Sequence, residues 1–336
     1  MLRALYVVLI LFVIAAPVYG AGAYTPVYVN IVVHNEEPDD SHPDYLNNPL
    51  YYYNNRAALR EFALMIKSNG AVLNLQADWN YLLAVAYYDV GDVVSDTNGK
   101  NIVRWLVEDL GFEVDPHTHE TVYNYADVAY LISQLGVTPS RNVGGFMYYP
   151  PETGSWEKHT FGIYGLQFPL YFWQADNLWG AATYEHGLMD DTSFGVWKPK
   201  TGYGFYEHDP SQRLLYIGGG CGSMYGIADL INVKDNGVLN PSGFYTASIF
   251  VPQKMLDPLV ISTVSDYILT LEPYVSVGKV QWMTLTQIAD IWRLNYANTP
   301  SQVVCNKVPD GMPLDNSTER CPIQSCSYVD QIQKNY

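Results

Sequence analysis

The amino-acid sequence predicts an α/β fold, a distorted (β/α)7–8 barrel that forms a single domain with long aromatic-rich loops. Three observations support this prediction. Apolar runs of strand length alternate with amphipathic helical segments, as parallel strands with helical crossovers do. Gly70, Gly111 and Gly136 each follow a helical segment as a C-cap. No glycine-rich phosphate loop follows the first strand, which disfavours an open dinucleotide-binding sheet.

The first half of the chain contains the most regular elements. Val27 to Val33 is a continuous apolar run, typical of a buried parallel strand. The helix over Arg56 to Asn69 places Leu59, Phe62, Ala63 and Ile66 on one face. The following predicted elements are, in order, a strand over Ala71 to Gln76, a helix over Asn101 to Leu110, a strand over Phe112 to Pro116, a helix over Tyr125 to Leu135 and a strand over Asn142 to Tyr148.

Between Pro150 and Gly220 the pattern gives way to aromatic and glycine-rich segments, which we interpret as long loops at the mouth of the barrel. The later predicted elements are strands near Ala181 to Glu185 and Leu214 to Ile217, a strand over Phe244 to Phe250, a helix over Pro258 to Leu271, a strand over Val280 to Leu285 and a helix over Gln287 to Asn295. These units complete the barrel.

The termini predict an exported protein. Residues 1–23 combine Arg3, an apolar run and small residues, the pattern of a signal peptide; an uncleaved anchor is the alternative. We therefore expect a barrel over 24–298, a cysteine-containing tail over 299–336, and a secreted or extracytoplasmic location with no other membrane contact. Disulfides fit this compartment; Cys221 is either a partner of the tail cysteines or a buried thiol.

Composition limits the partners. A formal net charge of −16 repels phosphate backbones, so we expect no nucleic-acid partner. The chain has 29 tyrosines, whose flat faces and polar tips suit sugar surfaces but equally suit protein packing. Composition thus favours a carbohydrate partner only weakly.

The segment Phe112 to Glu120 carries the strongest chemical signal. Strand periodicity places Glu113, Asp115, His117 and His119 on one face. Two imidazoles beside a carboxylate are ligands for a divalent metal, zinc first. An exposed histidine pair at a strand end is the alternative.

The first strand ends in a second polar run, His34-Asn35-Glu36-Glu37. In a parallel barrel the carboxyl ends of the strands meet at one rim, so a carboxylate from this run would join the two imidazoles. His34 is a further candidate ligand. The acidic run could instead form a solvated loop.

These motifs resemble the carbohydrate (polysaccharide) deacetylases of the glycoside hydrolase/deacetylase superfamily, and the chain looks like a divergent member. Asn35 to Pro38 is similar to the acidic-pair motif, His117 to His119 to the histidine motif, and Gln281 to Leu285 with its following helix to the closing segment. The resemblance implies a distorted barrel, with Glu36 as general base and Glu37, His117 and His119 as metal ligands.

The chain departs from the family pattern in three ways. Its acidic pair is Glu-Glu rather than Asp-Asp, and its histidines are two rather than four positions apart. The late histidine that serves the family as general acid is absent, so His186 or His208 would have to replace it. Asp115 is a candidate either for the base or for a residue that orients a metal-bound histidine.

The candidate substrate-binding residues are Tyr184, Asp191 and Trp197. The last two lie in the segment Asp190 to Pro199, where carboxylates, a tryptophan and a lysine are close together. This segment could equally be a surface loop.

The sequence therefore favours a secreted metal-dependent hydrolase that removes acyl groups, such as acetyl, from a carbohydrate. One alternative is a metal-independent glycoside hydrolase with paired carboxylates. The other is a non-catalytic glycan-binding or envelope protein on a degenerate barrel.

Overall fold

The computed structural model describes residues 24–146, 158–181, 193–201, 204–220, 224–296, 299–304 and 327–329. The predicted signal peptide, all four cysteines and the candidate site residues Tyr184, His186 and Asp191 lie outside these residues. The division at residues 23 and 298 stays a prediction. Within the described part of the chain, no helix combines the length and apolar character that a membrane crossing requires.

The strands are β1 (Val27–His34), β2 (Leu73–Ala77), β3 (Glu113–Pro116), β4 (Asn142–Val143), β5 (Ile163–Tyr164), β6 (Phe172–Trp173), β7 (Asn177–Gly180), β8 (Phe194–Trp197), β9 (Leu215–Gly219), β10 (Tyr245–Pro252), β11 (Val280–Trp282), β12 (Ser301–Val304) and β13 (Ser327–Val329). The helices are α1 (Pro49–Ser68), α2 (Trp79–Tyr88), α3 (Ile102–Glu108), α4 (Tyr125–Gln134), α5 (Lys158–Phe161), α6 (Met224–Asp235), α7 (Pro258–Ser276) and α8 (Leu285–Asn295). Short 3₁₀ helices span Gly91–Thr97 and Gln253–Met255.

The strands form a distorted barrel, as predicted. One sheet has the parallel order β10-β1-β2-β3, and a second contains β4, β7 and β9, also parallel, extended by antiparallel β8, β12 and β13. Gly144 N donates to Pro116 O at 3.0 Å, which joins β3 to the β4 turn. Thr246 of β10 donates through its hydroxyl to Gly218 O of β9 at 2.7 Å. The wall is therefore continuous, although two junctions lack a full ladder.

Strand β1 shows how alternation builds both faces of this wall. Val27, Val29, Ile31 and Val33 face the helices and belong to the largest apolar core. The alternate residues Tyr28, Asn30, Val32 and His34 face the barrel interior. The functional end of β1 thus carries His34 on the inner face.

Strand β11 does not extend the barrel as one more full-length strand. Because β10 pairs along one whole edge of β1, β11 at Val27–Val29 and β2 at Ile31–His34 must share the other edge. Helix α8 then begins beneath β2 and β3, where Leu285 N donates to Asn74 Oδ1 and Thr286 N donates to Glu113 Oε1. The start of α8 covers the amino end of the barrel.

The barrel interior holds a ring of polar side chains that is completed through the backbone of β7. Its members, all buried, are Asn30 (β1), Asn74 (β2), Asp115 (β3), Asn142 (β4), Asn177 and Trp179 (β7) and Ser248 (β10). Side-chain hydrogen bonds join β1 to β2, β2 to β3, β3 to β4, β4 to β7, β7 across β9 to β10, and β10 to β1, through the pairs Asn30–Asn74 at 3.3 Å, Asn74–Asp115 at 2.9 Å, Asn142–Asp115 at 2.8 Å, Asn177–Asn142 at 2.7 Å, Trp179–Ser248 at 3.0 Å and Ser248–Asn30 at 2.6 Å. Side chains thus close the barrel where backbone ladders are short.

Several elements differ from the sequence prediction, and for α1 and α2 the reason is identifiable. Helix α1 begins at Pro49 rather than Arg56, because Asn48 caps it by accepting a hydrogen bond from Tyr51 N. Helix α2 was not predicted. Its sequence, WNYLLAVAYY, is apolar almost all round and gives little amphipathic signal. The predicted strand over Asn142 to Tyr148 is described only through Phe146, with β4 ending at Val143.

We predict that Asn142→Ala lowers the free energy of unfolding by about 2 to 3 kcal/mol, because it removes one hydrogen bond each from the carboxylates of Asp115 and Glu113 and leaves Asn177 Nδ2 without its acceptor. Urea denaturation measures this. The matched control is Asn54→Ala on the exposed face of α1, which should change stability by less than about 0.5 kcal/mol. Equal losses for the two variants would contradict a structural role for the ring.

Candidate metal centre

The carboxyl ends of β1, β2 and β3 lie side by side and in register. His34 pairs with Gln76, and Gln76 pairs with Asp115. The backbone pairing continues past the strand ends, since Asn35 N donates to Gln76 O at 2.9 Å and His117 N donates to Ala77 O at 3.1 Å. The two histidine segments predicted to meet at one rim therefore do meet.

The carboxylate of Glu36 lies among three imidazoles. Its Oε1 is 2.8 Å from His34 Nε2, and its Oε2 is 3.2 Å from His117 Nε2 and 2.9 Å from His119 Nε2. Ligand atoms of His34, Glu36 and His117 all lie within 4.8 Å of one another, and the three residues are buried. His119 closes the cluster on its solvent side, with a side chain that is 45% exposed.

Hydrogen bonds behind the cluster fix the ring of His117. Its Nδ1 is 2.8 Å from the carbonyl oxygen of Gly144. A carbonyl can only accept, so Nδ1 carries the proton and Nε2 of the neutral ring presents a lone pair to Glu36. His34 has an equivalent contact, with Nδ1 2.6 Å from Gln76 Oε1. A carbonyl acceptor behind each ring leaves its Nε2 available as a ligand.

The electrostatics of the cluster favour a bound cation. Burial, reinforced by the neighbouring His34, lowers the pKa of His117 to about 4, so this ring is neutral at pH 7. Burial alone would raise the pKa of Glu36, but the neighbouring His34 and His117 and the hydrogen bond from His119 outweigh it and lower the pKa. A carboxylate thus faces the lone pair of a neutral ring at 3.2 Å. This donor set fits a divalent metal ion.

Two consecutive glycines allow the close approach behind the imidazoles. A Cβ on Gly145 would lie 2.6 Å from His34 Cε1 and 3.1 Å from His117 Nδ1, and one on Gly144 would lie 2.9 Å from Gln76 Cγ. Gly145 also has φ +69°, in the left-handed region. Side chains at either position would displace the rings or the residue that orients them.

Glu37 has a different neighbourhood from Glu36. Its carboxylate accepts from Thr118 Oγ1 at 2.6 Å, from His119 N at 2.9 Å and from Thr121 Oγ1. The resemblance implied Glu37 as ligand and Glu36 as base, whereas the geometry places Glu36 among the imidazoles. Glu37 instead holds the loop that carries His119.

The contacts of Asp115 correct both roles expected for it. Strand alternation does place it on the inner face with His117, but its carboxylate bonds to Asn74, Ser140 and Asn142 within the polar ring. Burial, followed by the charge of Glu113, raises its pKa well above the usual range. Asp115 is therefore a structural carboxyl group below the site.

Two other candidates are also not brought to the cluster. Trp197 is fully buried and donates through its indole N–H to Phe205 O at 2.7 Å, so it packs in the core and offers no surface to a sugar. His208 accepts from Lys198 N at 3.1 Å and lies 6.2 Å from the ring of Trp292 on α8. The structure thus gives no support to His208 as the replacement acid.

Asp78 is a rim residue that the sequence reasoning missed. It follows β2 directly, is fully buried, and caps α2 by accepting from Tyr81 N at 2.8 Å, while its Oδ2 has no hydrogen-bond partner. Burial, then the charges of Glu37 and Glu36, raises its pKa well above the usual range. The rule that singled out the ends of the first and third strands applies equally to the second, and would have found it.

Comparisons with known proteins give likenesses of fold. No family model matches the chain, and no curated protein matches it. Among solved structures, PuuE allantoinase is similar with a TM-score of 0.49 and 13% identity, covering 83% of this chain and 94% of that one. A probable polysaccharide deacetylase from Pseudomonas aeruginosa PAO1 is similar with a TM-score of 0.46 and 13% identity, over 80% and 91% of the chains. A 4-alpha-glucanotransferase from Thermococcus litoralis has a TM-score of 0.46 and 9% identity, over 79% and 40%. The chemistry of this chain has to be argued from its own side chains.

We predict that Gly145→Ala weakens metal binding by about 10- to 100-fold, because the added methyl group displaces the imidazoles of His34 and His117. Titration with zinc followed by calorimetry measures this. Gly70→Ala is the matched control, since Gly70 has the same φ of +69° and nothing within 4 Å of the added Cβ. Similar zinc affinities in the two variants would show that the Gly145 contact does not position the rings.

Proposed function

We propose that this protein is a metal-dependent hydrolase that removes acyl groups, such as acetyl, from a carbohydrate. The observation that carries the proposal is the convergence of His34, Glu36 and His117 at the strand ends, with His119 at the solvent side. His34, Glu36 and His117 are a three-residue ligand set for a catalytic zinc ion, whose fourth position, beside His119, remains for water. Zinc is accordingly the metal proposed.

Different residues of the chain would hold the ion and orient its ligands. His34, Glu36 and His117 would hold the ion, which when bound lowers the pKa of water and polarises a carbonyl oxygen. Gln76 and Gly144 orient two of the rings through their Nδ1 atoms. Glu36, among three imidazoles, is not free to act as a base.

Asp78 is the carboxylate proposed to take the proton of the attacking water. It lies at the end of β2, between the strands that supply the histidines, and its Oδ2 has no partner. Its pKa is raised by burial and by the two glutamates. A carboxylate whose pKa is raised binds a proton more strongly than an ordinary aspartate does, which favours transfer of the proton from the water.

The metal-independent glycosidase receives no comparable support. That reaction needs two carboxyl groups flanking a sugar. Glu36 is in contact with imidazoles, and Glu37 accepts three hydrogen bonds from its own loop. Action outside the cytoplasm remains part of the proposal, supported by the leader-like residues 1–23.

We predict that His117→Ala loses bound metal, and that deacetylation of acetylated oligosaccharides falls by more than about 100-fold with it. Metal analysis of the purified protein, beside acetate release, measures both. His42→Ala is the control, because His42 contacts Asp39 on an external loop. Equal metal content in the wild type, the His117→Ala and His119→Ala variants would reject the proposal, and metal loss without any change in hydrolysis would indicate a structural ion.

We predict that Asp78→Asn lowers kcat by about 100-fold or more while leaving zinc content unchanged. The amide oxygen still caps α2, so the fold is retained. Asp257→Asn is the matched control: Asp257 caps α7 by the same contact, from Val260 N at 2.7 Å. If both variants kept full kcat, Asp78 would be only a helix cap.

A further inference from the structure

A continuous row of aromatic rings leads away from the metal centre. Trp79, next to Asp78, stacks on Tyr123 with ring centroids 5.0 Å apart. Tyr123 lies 6.4 Å from Phe168, Phe168 lies 4.2 Å from Tyr130, and Tyr130 lies 5.3 Å from Tyr171. All five rings are half-buried, so each has packed and accessible parts. We call these five residues the aromatic track.

The outer end of the track is held rigidly. The buried carboxylate of Asp127 on α4 accepts the backbone N–H groups of Leu166, Gln167 and Phe168 at 2.9 to 3.0 Å. Gln167 Nε2 also donates to Val122 O at 3.0 Å, in the loop that carries His119. The loop after β5 is therefore fixed to the same segment as the metal centre, which lowers the entropic cost of binding a ligand there.

The track ends in an open hollow of about 390 Å³, lined by Tyr130, Gln167, Phe168, Pro169, Leu170 and Tyr171. This volume is within the usual range of small-ligand sites. The lining carries no charged side chain, and it combines aromatic faces with one amide. Such a surface is unsuited to anionic ligands but presents stacking faces and hydrogen-bonding groups to a neutral sugar.

We propose that the hollow and the aromatic track bind a neutral, acylated glycan chain whose next units reach the metal centre. The substrate would then be an oligomer or polymer rather than a single sugar. The identity of the ligand as an acylated glycan rests on the proposed function. Its physical basis is the continuity of rings from Trp79, next to Asp78, to Tyr171 and the shared attachment of the two sites to the Val122 segment.

The test measures binding without turnover. Calorimetry compares six-unit and two-unit oligomers of N-acetylglucosamine and of acetylated xylose on zinc-loaded wild type and on Tyr171→Ala and Gln167→Ala, both lining variants. Tyr87→Ala removes an exposed tyrosine from α2, outside the track, and is the matched control. Circular dichroism confirms that each variant is folded.

We expect at least one six-unit oligomer to bind wild type and Tyr87→Ala equally, and to bind the lining variants about tenfold more weakly. The two-unit oligomers should show little difference. No six-unit binding, or equal binding by both lining variants and wild type, would overturn the proposal. Binding to phospholipid vesicles that Tyr171→Ala abolishes, without oligomer binding, would assign the hollow to a membrane instead.

His117→Ala separates this inference from the proposed function. If the track binds the chain, this variant should retain six-unit affinity within about threefold, since the hollow lies outside the metal cluster. Retained oligomer binding without hydrolysis by the wild type would refute the hydrolase and leave the track. Hydrolysis that does not depend on oligomer length would refute the track and leave the hydrolase.

Discussion

The parallel register of β1, β2 and β3 is the constraint on which the site depends. It aligns His34 with Gln76 and Gln76 with Asp115, so that the segments after β1 and β3 leave the wall at the same height. Since side chains alternate between faces, a slip of one residue would turn His34 toward the helices and Val33 into the site. The apolar residues of β1 that pack under the helices therefore fix the candidate metal ligands as well as the core.

The polar ring explains how a barrel interior can support a polar site. A half-satisfied buried network would cost more than an apolar core, but here side chains of β1, β2, β3, β4, β7 and β10 hydrogen-bond to one another. Burial and the charge of Glu113 raise the pKa of Asp115, and its hydrogen bonds to Asn74, Ser140 and Asn142 reduce the cost of burying this carboxyl group. The imidazoles of His34 and His117 lie above this ring, toward the carboxyl ends of β1 and β3, on the same inner face of the barrel.

Sequence patterns predicted which side chains lie together because they report position along a strand. Alternation and strand length placed His117 and the His34 to Glu37 run at one rim, and the rim is where they lie. Those patterns could not predict which of Glu36 and Glu37 contacts the imidazoles. Both residues follow the strand end, where the two-residue period no longer applies. Trp197 was misassigned for another reason: local composition does not distinguish a tryptophan packed against Phe205 from one that faces solvent.

The adjacent residues Glu36 and Glu37 connect the histidine cluster with the aromatic track. Glu36 holds the imidazoles together, while Glu37, through His119 N and the hydroxyls of Thr118 and Thr121, fixes the loop that runs on to Tyr123. Tyr123 is also the ring on which Trp79 stacks. Because His119 and Tyr123 belong to one short loop, a glycan bound to the aromatic track would contact the loop that positions His119, the most exposed member of the cluster. The same loop would then both bind the substrate and complete the site, which gives a physical reason for two acidic residues in sequence where one ligand would suffice.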